Sequence, residues 1–322
     1  MTDPDINSPT ILLTGPTRGI GAAMLERLIS HPRQPRLILL ARDPHALDTA
    51  VRRAHSAGRD AFGVMVDLAD LGTVDAALDE LGARIGRSES HPPDAAMLNA
   101  GAQFGDRRGT SAQGIEQTFA VNVVAQHVLV RGILPLLAPR GQLVMMGSST
   151  HRGRAQSFGL IPSPRYAPPD LLAVPDGTAE GATRHAGGRA YADSKLALVT
   201  LAHALARRAA ASGHRLNTYD PGLVPGTGLG RTMPGYMRWT WEHVMPAMSL
   251  LPKAATPLTT ARHAIDLVMG DRHADLHDAY IELGRITRAA DRTFDRDRQD
   301  ELFTWIEARH PEQRQARPSA AA

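Results

Sequence analysis

The chain has 322 residues, of which 43% are apolar, enough to bury a large core in one α/β domain or two smaller ones. It has no cysteine, which excludes disulfides, thiolate metal sites and a cysteine nucleophile. Its net charge is only +3, and basic pairs such as Arg52-Arg53, Arg107-Arg108 and Arg207-Arg208 lie among acids, so the one-signed patch that nucleic acid requires is missing.

Residues 1–9 are polar, carry two aspartates and lack the basic flank and apolar stretch of a signal peptide. They are expected to form a solvated tail on a cytoplasmic protein. No apolar run approaches the roughly 18 residues that cross a bilayer, so no membrane span is expected. Strands are predicted at Thr10–Thr14, Arg36–Ala41, Ala61–Val66, Asp94–Asn99, Gly141–Gly147, Arg215–Tyr219 and Asp278–Leu283. Helical patterns lie between them at Gly19–Ser30, Pro44–Ala57, Leu71–Ile85, Ala112–Leu137 and Arg189–Ser212. This alternation predicts an α/β fold: a single doubly wound, Rossmann-type parallel sheet over residues 10–310, with helices on both faces. Ligands bind such a sheet beyond the carboxyl ends of its strands. Two stretches interrupt the pattern. Residues 150–188 are rich in Pro, Gly, Arg and Ser and are expected as an insertion outside the core. Residues 224–256 concentrate large apolar side chains, and residues 311–322 are expected as a second tail.

The first strand runs into Thr14-Gly15-Pro16-Thr17-Arg18-Gly19-Ile20-Gly21. Glycines here let the backbone turn tightly and approach a pyrophosphate, and the helix that follows offers free N–H groups to the anion. The alternative, an ordinary glycine turn, fits its position after a strand and before a helix less well.

The spacing Thr-Gly-x-x-x-Gly-x-Gly resembles that of the short-chain dehydrogenase/reductase family, and further matches follow in the family's order. Asp67-Leu68 ends the third strand, where the resemblance implies contact with adenine. Asn99-Ala100-Gly101 ends the fourth, and Asn122 stands at the family's catalytic asparagine. Ser148 ends the fifth, Tyr191-Ala-Asp-Ser-Lys195 matches the Tyr-x-x-x-Lys signature, and Pro221-Gly222-Leu223 follows the sixth, with Thr227 placed to meet the nicotinamide carboxamide. The resemblance spans about residues 10–310. It implies a dinucleotide cofactor held by Gly15, Thr17, Arg18, Gly19, Ile20, Asp67, Leu68, Asn99, Ala100, Gly101, Tyr191, Lys195, Pro221, Gly222, Leu223 and Thr227.

Dinucleotide enzymes read the adenosine ribose at the end of the second strand, where an arginine favours a 2′-phosphate and a carboxylate a free hydroxyl. The residues there are Arg42-Asp43. Arg42, with help from Arg18, can fork onto a phosphate with charge-assisted bonds, which predicts NADP(H). Asp43 can instead cap the helix that opens at Pro44. Arg42 is otherwise a surface arginine in an arginine-rich chain.

Tyr191 and Lys195 stand four residues apart and so share a helix face. Tyrosine, with a pKa of about 10, is a poor acid or base at neutral pH unless a nearby ammonium stabilises its phenolate. The chain has only two lysines, Lys195 and Lys253, against 34 arginines, so lysine at 195 suggests a need for the compact ammonium. Ser148 is expected to hold the substrate oxygen, with Ser149 as the other possibility in Gly147-Ser148-Ser149-Thr150-His151. The resemblance gives Asn122 a backbone carbonyl that binds a relay water; otherwise it is a locally bonded helix asparagine. A Ser-His-Asp hydrolase lacks its Gly-x-Ser-x-Gly elbow, and His151 and His185 are expected to be solvated. No His-x-x-x-His spacing points to a metal.

From Ser148 to Tyr191 the chain is longer than most of the family. Retinol dehydrogenases, carbonyl reductases and protochlorophyllide reductases carry comparable insertions, and Asp220-Pro221-Gly222-Leu223 is similar to the last group. Asn99-Ala100-Gly101 and the lack of cysteine weaken a light-driven reductase. The expected function is hydride transfer between NADP(H) and a carbonyl or alcohol. Reduction of a polarised C=C bond and a non-catalytic NADP(H) sensor are the rivals. Leu229, Met233, Tyr236, Met237, Trp239, Trp241, Val244, Met245, Met248, Leu250 and Leu251 predict a lid over a bulky hydrophobic substrate, or else a helix packed on the core. A monomer and a homodimer are both compatible with the sequence.

Overall fold

The computed structural model describes residues 8–157, 159, 161–224 and 255–315. Its centre is an eight-stranded sheet in the order β3-β2-β1-β4-β5-β6-β7-β8. Seven strands are parallel: β1 (Thr10–Thr14), β2 (Arg36–Ala41), β3 (Ala61–Met65), β4 (Ala95–Leu98), β5 (Gln142–Met146), β6 (Arg215–Asp220) and β7 (Tyr280–Glu282). The eighth, β8 (Arg285–Thr287), is antiparallel to β7. The doubly wound sheet is thus as predicted, with this one strand added at its edge.

Both faces of the sheet are covered, which is why its strands are apolar runs. Alternation along each strand feeds two cores. Leu12, Leu143 and Met145 enter one, and Ile11, Leu13, Val144 and Met146 enter the other. Helices α1 (Gly19–Ile29) and α2 (Pro44–Ser56) close the second core. Helix α3 (Leu71–Gly86) helps to close the first. Full burial of one such aliphatic side chain contributes about 1.5–3 kcal/mol, so these strands dominate the fold.

The helix expected at Ala112–Leu137 is broken into pieces. Ser111 N–H bonds Ile115 O at 2.8 Å, and Glu116 caps the next turn by accepting from Phe119 N–H at 2.7 Å. Then come α4 (Gln117–Phe119), a π-helical stretch (Ala120–Val124), α5 (Ala125–Ile133) and a 3-10 turn (Leu134–Leu136) that holds Pro135. Residues Gln117–Leu136 are long and apolar enough to cross a membrane by composition, contrary to expectation, but they are mostly buried as a core segment.

The stretch 150–188 contributes to the core, which its composition did not predict. Its helix α6 (Pro169–Leu172) buries Pro169 and Leu172. Helix α7 (Arg184–Ala211) starts five residues earlier than expected, because Thr183 caps it by accepting from Ala186 N–H at 3.1 Å. Helix α8 (Pro257–Val268) packs on α1, and α9 (Arg296–Gln315) packs on α7. The backbone of α9 is helical to Gln315, so residues 311–315 are not the tail expected there. Strand β7 stops short of the predicted Leu283. Leu283 and Gly284 take positive φ values of 49° and 77° and form a two-residue turn into β8.

Candidate active site

The order of β2, β1 and β4 marks a switch point, and the predicted residues gather at the carboxyl ends of β1, β4, β5 and β6. Gly15 leaves β1 with φ 68°, its N–H bonded to Leu40 O at 2.8 Å, and Gly19 has φ 55°. A Cβ at Gly21 would lie 1.9 Å from Gly15 O, so only glycine lets the helix pack so closely on the turn. Asn99 fixes the turn from the side, donating from Nδ2 to Thr14 O at 3.0 Å and Gly15 O at 3.2 Å. Ala100 N–H bonds Thr14 Oγ1 at 2.9 Å.

Helix α1 has no side-chain cap at Arg18. By contrast α2, α3, α7 and α8 are capped by Asp43, Asp70, Thr183 and Thr256. An uncapped first turn beside a glycine turn fits a bound phosphate, because its N–H groups are free of side-chain acceptors.

At the ribose-reading position Arg42 is 62% exposed, with Nη1 4.0 Å from Asp67 Oδ1. Asp43 is spent on the cap, accepting from Ala46 N–H at 3.0 Å. Asp67 Oδ1 also accepts from Ala69 N–H at 3.0 Å. The Leu68 side chain is in the core, which leaves only its main chain for a ligand.

Ser148 ends β5 and caps the turn Ser149–Arg152; its Oγ accepts from Thr150 Oγ1 at 3.0 Å. Of the two serines it is Ser148 whose side chain acts on the Tyr191 phenol. Burial pushes the Tyr191 phenol up to about 12, and Asp220 adds to this while Ser148 opposes it. The expected lowering by lysine is therefore absent in the free protein. Lys195 Nζ donates to Met146 O at 2.8 Å and lies 5.8 Å from the Tyr191 ring centre. Burial draws the Lys195 ammonium down to about 8.

Asn122 lies in the π-helical stretch. Its Nδ2 donates to Ala102 O at 2.8 Å and Ser194 Oγ at 3.0 Å, and its Oδ1 accepts from Ala102 N–H at 2.9 Å. The side chain is fully engaged, so any relay through Asn122 must use its main chain. A Cβ at Gly101 would lie 3.0 Å from Asn122 Oδ1 and 3.8 Å from Lys195 Nζ, which places the β4 end against both. After β6, Gly222 has φ 68° and donates to Asp220 Oδ1 at 2.9 Å, Pro221 O accepts from Thr260 Oγ1 at 3.0 Å, and Leu223 O accepts from Ala255 N–H at 2.9 Å. Thr227 and all of the predicted lid except its ends lie outside the described residues.

Known proteins carry the same pattern. The family model for short chain dehydrogenases matches residues 9–159. Over 271 residues the chain is 31% identical to a candidate daunorubicin C-13 ketoreductase of Streptomyces sp. (strain C5), covering 83% of each chain. The chain belongs to the short-chain dehydrogenase/reductase family. Solved structures share the fold at lower identity. An angucycline C-6 ketoreductase with bound NADP aligns with TM-score 0.61 and 21% identity, over 86% of this chain and 95% of the other. L-sorbose reductase from Gluconobacter frateurii, complexed with NADPH and L-sorbose, aligns with TM-score 0.63 and 19% identity, over 86% and 95%. At this identity the likeness is one of fold, and a shared fold does not fix the substrate.

Three residues stand behind the short-chain dehydrogenase/reductase motifs without having been predicted as part of the site. His151, expected to be solvated, is fully buried. Its Nε2 accepts from Ala290 N–H at 3.1 Å, so Nδ1 carries the proton and donates to Ser148 O at 2.7 Å. It thus bonds the Ser148 carbonyl and not its hydroxyl, which rules out its activating Ser148 as a nucleophile in this arrangement. Tyr280 and Asp220 form a second buried pair, joined at 2.6 Å. Only the sequence spacing of Asp220 before Pro221-Gly222 hinted at this layer.

Proposed function

We propose that this family member is an NADP(H)-dependent reductase of carbonyl groups on a bulky hydrophobic small molecule. The observation that carries the reading is Lys195, bonded to Met146 at the end of β5 and 5.8 Å from the Tyr191 ring centre, with Ser148 acting on the Tyr191 phenol, beside an uncapped helix at a glycine turn. The glycine turn and the first turn of α1 hold the pyrophosphate. Arg42 and Arg18 bind the 2′-phosphate, a role supported by the exposure of Arg42 and the loss of Asp43 to a cap. When bound, the nicotinamide supplies hydride to the substrate carbon or takes it back. Ser148 and Tyr191 bind the substrate oxygen, and Tyr191 donates its phenolic proton as charge develops there. Lys195, with donors left beyond the one on Met146, resupplies that proton and is itself recharged by a water that the Asn122 carbonyl would hold.

The substrate class rests on the concentration of large apolar residues in the sequence of 224–256, with 150–188 proposed as a wall of the cleft. Daunorubicin, in the name of a relative, is a large fused-ring ketone, which supports the same class. The test follows loss of NADPH absorbance across matched bulky apolar and small polar ketones, for the wild type and Tyr191→Phe. Bulky ketones should have the higher kcat/KM, and Tyr191→Phe should lose at least about a hundredfold in turnover while binding NADPH normally. Preference for small polar ketones would overturn the substrate class. Turnover of enones alone would move the chemistry to C=C reduction.

A further inference from the structure

Beneath the proposed reaction centre lies a buried carboxylate that the proposed proton transfer does not use. In β6, Tyr219 points into the core shared with α8 and donates to Thr260 O at 3.0 Å. Strand alternation therefore turns Asp220 to the opposite face, the one covered by α7. Asp220 is 0% exposed, and its Oδ2 accepts from Tyr280 O–H at 2.6 Å and its Oδ1 from Gly222 N–H at 2.9 Å. Tyr280 packs on Val199, one helical turn beyond Lys195, and its ring lies 4.9 Å from that of His151. A Cβ on Gly147, the residue before Ser148, would meet Thr218 Cγ2 at 2.7 Å and Tyr280 Cε2 at 3.3 Å. The Asp220–Tyr280 pair is thus wedged directly behind Ser148, in the layer that holds Tyr191 and Lys195.

If Asp220 served only to cap the Pro221–Gly222 turn, a neutral asparagine would do so without burying a charge. The charge itself needs a reason. Burial raises this carboxyl to about 6, and Tyr280 and Gly222 oppose the rise, so it is ionised at neutral pH. Of the charged groups around it, Glu282 of β7 is bonded by Arg152 at 2.6 Å, and the two largely cancel. His151 is neutral, since burial holds it at about 4. Tyr219 and Tyr280 stay protonated, both raised by burial. Lys195 Nζ is bonded to Met146 O at 2.8 Å, and Met146 stands in register with Tyr219, the residue before Asp220, so the carboxylate lies at the level of the ammonium.

We propose that Asp220 is a positioning residue for proton transfer: its clamped carboxylate is the counter-charge of the Lys195 ammonium and keeps that ammonium charged as pH rises. The inference rests on the reading of Tyr191 as the acid. In that step the Tyr191 O–H bond breaks as the substrate O–H bond forms, and the phenolate regains its proton from the side of Lys195. A negative charge nearby favours the Lys195 ammonium, and so keeps in place the positive charge that stabilises the Tyr191 phenolate as it forms.

The chain's two lysines allow a direct test. In protein labelled with carbon-13 at lysine Cε, Lys253→Arg leaves the Lys195 signal alone, and its NMR titration needs neither cofactor nor substrate. Asp220→Asn should lower the Lys195 midpoint by about one pH unit, a tenfold change in its ionisation constant. The alkaline limb of the reductive kcat should move by the same amount, with NADPH affinity within a few-fold. Tyr280→Phe frees one carboxylate oxygen and should shift Lys195 in the same direction by less; it also serves if Asp220→Asn does not fold. An unmoved Lys195 midpoint in a folded variant, with or without a fall in NADPH affinity, would reduce Asp220 to a turn cap and overturn the proposal. If the midpoint moves but Tyr191→Phe keeps its turnover, the coupling stands and the role given to Tyr191 in the proposed function fails.

Discussion

The two sides of the cleft are held in different ways. The nucleotide side is backbone against backbone: Gly15 bonded to Leu40 O, Gly21 pressed on Gly15 O, and Asn99 stapling β4 to the turn. Nearly all of its parts lie within a few residues of one strand end. The other side, for which 150–188 are proposed, is tied by side chains and single hydrogen bonds from distant elements. Arg165 N–H donates to Asp193 of α7 at 2.6 Å, and Glu116 N–H donates to Ala173 O at 2.7 Å. Asp170 of α6 accepts from Trp305 Nε1 and Arg309 Nη2 of α9, each at 2.8 Å. Close backbone contact leaves no tolerance for added atoms, whereas a set of separate ties can lose one and keep the rest. The first arrangement suits a ligand that never changes, and the second a wall that can be retuned.

Three substitutions bear on that contrast. The largest effect is expected on the nucleotide side, where Gly21→Ala forces a methyl group to within 1.9 Å of Gly15 O. NADPH affinity, read by quenching of intrinsic fluorescence, should fall at least about a hundredfold, or roughly 2.7 kcal/mol. Unchanged binding would show that this turn is not the phosphate cradle.

On the other side Asp193→Asn should act through pH. Burial raises the Asp193 carboxyl from 3.8 to about 6, with Arg165 N–H opposing. The folded protein therefore takes up this proton before the unfolded chain does. Its stabilising share is complete below the unfolded value and is lost as pH rises through about 6. At neutral pH the buried charge costs up to about 3 kcal/mol. Asparagine keeps an acceptor for Arg165 N–H without the charge, so Tm should rise at mildly alkaline pH and stay unmoved in acid. A rise of equal size at both ends would refute the linkage.

The smallest effect is expected from Asp170→Ala. It removes two hydrogen bonds to α9, a loss of about 1–3 kcal/mol. The kcat/KM for bulky ketones should change several-fold while NADPH affinity holds within twofold. If NADPH affinity falls as much as ketone selectivity, the two sides are one unit and the contrast is false.

The same division governs what could be learned from sequence. Strands β1 and β2 lie at the predicted residues because an unbroken apolar run between turn residues is a local signal. The glycine turn, Asn99 and the Tyr191–Lys195 pair are likewise short-range patterns. The π-helical stretch at Ala120–Val124 carries no glycine or proline to announce it; what accompanies it is the clamp of Asn122 on Ala102 and Ser194, which is long-range. Among the described side chains, helix α9 buries a narrow stripe, Gln299, Leu302, Trp305 and Ile306, amid charged residues, so its amphipathic signal is weak. His151 sits in a polar stretch and is buried only because β7, β8 and the chain after them fold back over it. The acidity of Tyr191 was also out of reach, since residue spacing reports the lysine but not the burial that outweighs it.

The hairpin that ends the sheet has a consequence for how copies of this chain behave towards one another. An open strand edge offers unpaired N–H and C=O groups to any other edge it meets, and so invites aggregation. Here the edge is β8, three residues long, running against the other seven strands and reached through the tight Leu283–Gly284 turn. Arg285 begins it and Arg288 follows it, with the Arg288 guanidinium over the Phe294 ring at 4.8 Å. A strand this short, flanked by cations, is a poor template for further pairing. The tight turn that brings Ala290 back to His151 thus also blunts this edge of the sheet, opposite β3, against fibre-like growth.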